Sequence, residues 1–176
     1  EKALPARTEF TFFTDIQPQI LALQGGEVDI LNLLPQFASV GLQHDPNVEF
    51  SSMRSTSHRQ VHMRCDTGPF QDARVRRAMA LCLDRNQLVQ GLMKGFGEPG
   101  NDNPIAPAYP TSDASIPQRD RDIAQAKQLL EAAGHPNGME ATLTTHQYLE
   151  MPQYAQLIQA WGKEAGINLN LNILDS

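Results

Sequence analysis

The segment Pro69-Phe70-Gln71-Asp72-Ala73-Arg74-Val75-Arg76-Arg77-Ala78, running on to Leu83-Asp84-Arg85, constrains the fold more than any other. Val75, Ala78, Met79, Cys82 and Leu83 fall at i, i+3, i+4, i+7 and i+8, which puts them on one face of a helix over about Gln71 to Leu83. Asp72 sits at its start, where the helix dipole favours a negative charge. Arg74, Arg76 and Arg77 populate the other face and read as a solvated surface pairing with Asp72, Asp84 or nearby carboxylates. A helix with one apolar stripe must bury that stripe against another layer, so the rest of the chain has to supply one.

The other layers alternate between two periods. Thr8 to Thr14, Val28 to Leu34, Val48 to Met53, Gln60 to Cys65 and Ala141 to Thr145 carry the β-branched, aromatic or alternating composition of strands. Ile167 to Leu174 alternates most cleanly, with Ile167, Leu169, Leu171 and Ile173 on one face and Asn168, Asn170 and Asn172 on the other. Helices are expected from Asp15 to Gly25, with Pro18 in the first turn, and from Pro35 to about Leu42. Asp84 and Gln87 have capping spacing for another, to about Lys94. Further helices follow Asp120, stopped by Gly134, and span Met151 to Ala165, stopped by Gly166. Tyr154 and Trp161 read as core aromatics of the last one. Strands alternating with helices predict a single α/β domain over residues 1–176, a mixed sheet flanked by helices.

Function classes narrow quickly. A net charge of -6 argues against nucleic acid as a partner, which needs clustered Lys and Arg, and no apolar run reaches bilayer-spanning length, so no direct membrane insertion is expected. Gly95-Phe96-Gly97-Glu98-Pro99-Gly100 spells G-x-G-x-x-G, but it follows a helix and enters proline-rich coil, so nucleotide binding is not expected. Among His44, His58, His62, His135 and His146, only His58 and His62 share a strand face, without a third ligand at metal spacing. No metal and no cofactor are therefore expected. The chain has no G-x-S-x-G, H-E-x-x-H or C-x-x-C, and no catalytic residue is assigned. Cys65 and Cys82 read as two small buried side chains, with a bridge between them left open. The stretch from Gly95 to Pro117 is a long loop rich in Pro and Gly, and loops of that length usually carry a function. The chain opens on Glu1 without a signal peptide and stops just after a strand, which reads as a segment of something longer.

Several segments, in order, resemble the family 5 extracellular solute-binding proteins, the peptide-, nickel- and opine-binding subunits of ABC importers. They are Leu21-Ala22-Leu23 with Gly26-Glu27-Val28-Asp29-Ile30, Val61 to Asp66 with the signature Pro69 to Arg85, the loop Gly97 to Pro104, Asp122 to Gly134, and Tyr154 to Leu171. One departure bears on substrate subclass: Arg64 stands where many members have Asn, six residues before Phe70. The resemblance implies one lobe of a type II periplasmic-binding-protein-like clamshell, most of the second lobe. Its expected partners are a peptide or small-molecule ligand, the first lobe of the same protein and ABC permease subunits. It implies a periplasmic protein, or an extracellular lipid-anchored one, that closes on its ligand and is not an enzyme. The alternative is a metabolite-sensing module of a transcriptional regulator with the same fold. Ligands of α/β lobes meet the loops at strand ends. Here those are Thr14-Asp15, Pro35-Gln36, Arg54 to His58 and Gly100 to Pro104, so Asp15, Gln36, Thr56, His58, Asn101, Asp102 and Asn103 are the expected ligand-facing residues.

Overall fold

The computed structural model describes residues 5–53, 55–107 and 109–175. The chain divides into two compact units, residues 1–52 and 53–176.

In the first unit, helix α1 (Ile16–Gln24) starts after Asp15 and closes at Gly25, with Ile20 and Ala22 buried. The expected second helix is shorter than its pattern suggested. Helix α2 covers only Gln36–Ser39, and a separate 3-10 turn follows at Leu42–His44. Leu42 and Ser39 are buried here, and the Gln43 side chain donates to Ser39 Oγ at 3.3 Å. The strands expected at Thr8 to Thr14, Val28 to Leu34 and Val48 to Met53 are irregular among the described residues. The physical reason is pairing. β-propensity spans only about 1 kcal/mol and reflects a packed, pleated surface, so it cannot replace a ladder partner. Phe10 and Phe12 accordingly stand 81% and 92% exposed.

The second unit contains the core. Asp72 is the N-cap of α3 (Ala73–Cys82), its carboxylate accepting from the Arg74 backbone N–H at 2.7 Å. The Arg74 side chain pairs with the same carboxylate, which holds the Asp72 carboxyl down at about 2. Arg76 instead ties back to the Phe70 and Gln71 carbonyls, at 2.8 and 2.9 Å. A 3-10 turn, Pro69–Gln71, precedes α3, so the helix starts two residues later than its stripe implied. Asp84 caps α4 (Arg85–Gln87) through the Gln87 N–H at 2.8 Å, and the chain widens into a π-turn at Leu88–Leu92. Asp122 caps α5 (Ile123–Ala132) through the Gln125 N–H in the same way.

Among the described residues, the regular sheet consists of two parallel strands, β1 (Met139–His146) and β2 (Ile167–Leu174), joined by α6 (Met151–Ala165). Their register runs from Met139 against Ile167 to His146 against Leu174. Gly166 ends α6 in the left-handed region, φ 93°, as its position after the last apolar turn predicts. Val75, Ala78 and Cys82 of α3, Ala126 and Leu130 of α5, Ile158 and Trp161 of α6, and Ile167 and Leu169 of β2 form one buried cluster. Each large member contributes about 1.5–3 kcal/mol of hydrophobic stabilisation. Val61 and Met63 lie against this cluster while His62 and Arg64 are exposed, so the alternation of Gln60 to Cys65 records burial on the core, although no ladder hydrogen bonds form there.

The cysteines part ways. Cys82 is buried, but Cys65 is exposed, and both are free thiols. Cys65 has the inward parity of Val61 and Met63 but is exposed, so the alternation ends before it; its thiol donates to the Met63 carbonyl at 3.3 Å. Burial pushes the Cys82 thiol up to about 11, with Glu164 adding to the rise and Arg121 opposing it. Because the thiolate is the nucleophile, native protein at pH 8 should titrate with Ellman's reagent as one fast thiol, Cys65. The second should react only after denaturation. Two fast thiols in the native state would contradict the burial of Cys82.

Candidate functional site

A groove of about 300 Å³ opens at the C-terminal end of β1. It is lined by His58, Arg59 and Gln60 on one side and Thr145, His146, Tyr148 and Met151 on the other. The second wall is the end of β1 and the turn into α6, and the backbone leaves β1 through Leu149 in the left-handed region, φ 47°. A non-glycine residue there is held by its surroundings at a cost of about 1–3 kcal/mol, a kind of strain that clusters at functional sites.

The first wall is pinned to the second by one ion pair. Arg59 Nε donates to Glu150 Oε1 at 2.6 Å, with the Glu150 side chain 3% exposed and that of Arg59 35%. Glu150 is also the N-cap residue of α6, although its side chain makes no capping bond. Next to this pair, the Gln60 amide bridges His58 Nε2 at 3.0 Å and His62 Nε2 at 2.8 Å. His58 Nδ1 donates to the Thr56 carbonyl at 3.2 Å. His58 and His62 therefore do share a face, through an amide link. Among the described residues no group of three His, Cys, Asp or Glu could hold a metal ion.

The seven expected ligand-facing residues divide into three sets. Thr56 and His58 sit together by the groove, and the Tyr109 hydroxyl donates to Thr56 Oγ1 at 3.4 Å. Arg54, which opened that expected loop, lies outside the described residues. Asn101, Asp102 and Asn103 are engaged in fastening the long loop. Asn101 Nδ2 donates to the Ile116 and Pro117 carbonyls, at 3.2 and 3.0 Å, and its Oδ1 accepts from the Arg119 N–H at 2.8 Å. Asp102 receives Arg85 on one oxygen and Arg119 on the other, both at 2.5 Å, and Asn103 Oδ1 accepts from the Ile105 N–H at 2.9 Å. Asp15 and Gln36 belong to the first unit. Asp15 accepts from Thr14 Oγ1 at 3.1 Å, while Gln36 Oε1 is buried with no hydrogen-bond partner among the described residues.

A second concavity of about 270 Å³ is lined by Leu83 to Asn86, Pro99 and Gln118 to Arg121. Arg85 and Arg119 there are both committed to Asp102, so it is a joint between loop and helices. Sequence reasoning missed Arg59, Gln60, Thr145, His146, Tyr148 and Met151. The available signal was the turn between β1 and α6, which the strand-end rule covers and the choice of loops above leaves out.

A family model described as bacterial extracellular solute-binding proteins, family 5 Middle, matches residues 1–176. The chain belongs to this family. It is 27% identical over 180 residues to the glutathione-binding protein GsiB of Salmonella choleraesuis, covering 100% of this chain and 35% of that protein. It is 25% identical over 170 residues to the heme-binding protein A of Haemophilus influenzae, covering 93% of this chain and 31% of that one. The structure of the periplasmic binding protein DppA from Helicobacter pylori, in complex with the peptide STSA, superposes with a TM-score of 0.78 at 25% identity over 90% of this chain and 31% of that one. The chain thus spans about a third of the length of these relatives. The α/β fold of one clamshell lobe expected from the resemblance is the fold observed in these neighbours. Family 5 members are non-enzymatic transport components of the periplasm or cell exterior. Arg64, the departure noted above, is turned outward, its guanidinium forked onto Asp66 at 3.0 and 2.7 Å.

Proposed function

We propose that this chain is the ligand-binding lobe, the greater part of the second lobe, of an ABC importer solute-binding protein. It captures a peptide or similar small polar solute by hinge closure and passes it to a membrane permease, without chemistry on the solute. The observation that carries this reading is the groove at the end of β1, where a part-buried ion pair and a strained turn hold the two walls beside it. Ligands of parallel α/β sheets bind at the carboxyl ends of strands, where backbone polar groups are unpaired. The relatives reported above are transport binding proteins, which favours this reading over the regulator. No helix among the described residues is long and apolar enough to cross a membrane, and a periplasmic or extracellular site fits the family.

The test is a thermal-shift and calorimetric screen of the intact protein against di- and tripeptides, glutathione, opines and nickel–histidine. At least one should bind with a dissociation constant in the micromolar range or below, and residues 1–176 alone should bind it at least tenfold more weakly. Equal affinity of the excised chain would show that one wall suffices and would overturn the clamshell mechanism.

A further inference from the structure

We propose that Arg59 is a ligand-recognition residue, and that the groove at the end of β1 takes the carboxylate end of the captured solute. This rests on the solute-capture reading above and adds the chemical class that the groove selects.

The argument starts from Arg59. Its Nε is committed to Glu150 Oε1, which orients the guanidinium plane. Among the described residues, its two terminal nitrogens have no hydrogen-bond partner, and Arg59 is one of the residues lining the groove. A guanidinium carries five N–H donors in a rigid fork, so one bond to Glu150 leaves four donors on the terminal nitrogens. That fork matches a carboxylate in bidentate geometry, and such charge-assisted pairs are about twice as strong as neutral hydrogen bonds.

Charge points the same way. Neither Asp nor Glu lines the groove. Glu150, next to the lining residue Met151, is buried and paired, so it offers nothing to a cationic group. The first turn of α6 adds the partial positive charge of a helix start, at Met151 on the groove wall. Tyr148 and Met151 give the groove an apolar flank against which the stem of a solute can pack. The walls therefore favour a group that is anionic at its tip and apolar behind it.

A purely structural role for Arg59, neutralising Glu150, makes a different prediction. It links both substitutions to stability and gives neither a reason to change the preference for acid over amide. Recognition treats them unequally, because only Arg59 touches the solute.

The experiment uses the intact protein and two probe pairs, trialanine with trialaninamide and glutathione with its diamide. Calorimetry is run on the wild type, Arg59→Gln, Glu150→Gln and the double variant, with circular dichroism to confirm folding. The double variant carries no buried unpaired charge and keeps the test readable where a single one fails to fold. The acids are expected to bind roughly ten- to a hundredfold more tightly than the amides, the contribution of hydrogen bonds to a charged group. That preference is expected to persist in Glu150→Gln and to vanish in Arg59→Gln and in the double variant. Equal binding of acid and amide by the wild type overturns this inference and leaves solute capture standing. A preference that survives in the folded double variant overturns it as well. Failure of all four probes to bind removes the solute-capture reading for this ligand class, and the inference with it.

Discussion

Gly138→Ala is expected to destabilise the second unit by about 3 kcal/mol, among the largest effects of any single methyl added to this chain. Gly138 and Gly166 lie back to back where β1 and β2 begin, and the Met139 N–H donates to the Gly166 carbonyl at 2.9 Å. Both glycines have positive φ, 87° and 93°. A Cβ on Gly138 would run into the carbonyl oxygen of Gly166, which is backbone and cannot swing aside. The substitution therefore incurs left-handed strain and a steric push that separates the first rung of the parallel ladder. Gly134 is the control, because its φ is 89° yet nothing stands within 4 Å of an added Cβ. Gly134→Ala should cost only the backbone term, about 1 kcal/mol. Trp161, 6% exposed in α6 against the same core, reports unfolding of this unit by fluorescence in urea. Equal losses for the two variants would mean that strand contact adds nothing to backbone strain.

That pair of glycines shows which parts of the fold are legible in a sequence and which are not. Gly166 can be recognised as a helix stop because it follows an amphipathic run, and helix ends have local chemistry. Gly138 sits in His135-Pro136-Asn137-Gly138, a stretch that looks like any turn; its need for hydrogen in place of Cβ comes from a residue 28 positions away. The same divide holds elsewhere. Helices α3, α5 and α6 and strand β2 follow from stripes, caps and alternation, all encoded within a dozen residues. Thr8 to Thr14 and Val48 to Met53 have strand composition, but a strand requires a neighbour, and composition does not specify one. The candidate site divides likewise. Thr56, His58, Asn101 and Asp102 all come from the one strand-end rule, yet Thr56 and His58 lie by the groove, whereas Asn101 and Asp102 hold the long loop through Arg119. Arg59 and Glu150 are 91 residues apart, so no local pattern links them, and only the fold makes them partners.

Among the described residues, the Arg59–Glu150 pair should also be the most asymmetric ion pair when cut. Arg59→Met strands a carboxylate whose side chain is 3% exposed, and a buried charge without its partner costs several kcal/mol. Because Arg59 itself is 35% exposed, solvent already screens part of the pair, and the expected loss is about 2–3 kcal/mol. Glu150→Gln leaves an arginine that can reach water, and the amide oxygen still accepts from Nε, so its cost should be nearer 1 kcal/mol. Replacing both, as Arg59→Met with Glu150→Leu, should recover most of the loss, because apolar groups of similar size often match a buried ion pair. A double-mutant cycle by urea denaturation measures the coupling directly. If Arg59→Met costs no more than Glu150→Gln, then Glu150 is hydrated in solution. The pin between the two groove walls would then be weaker than its geometry indicates.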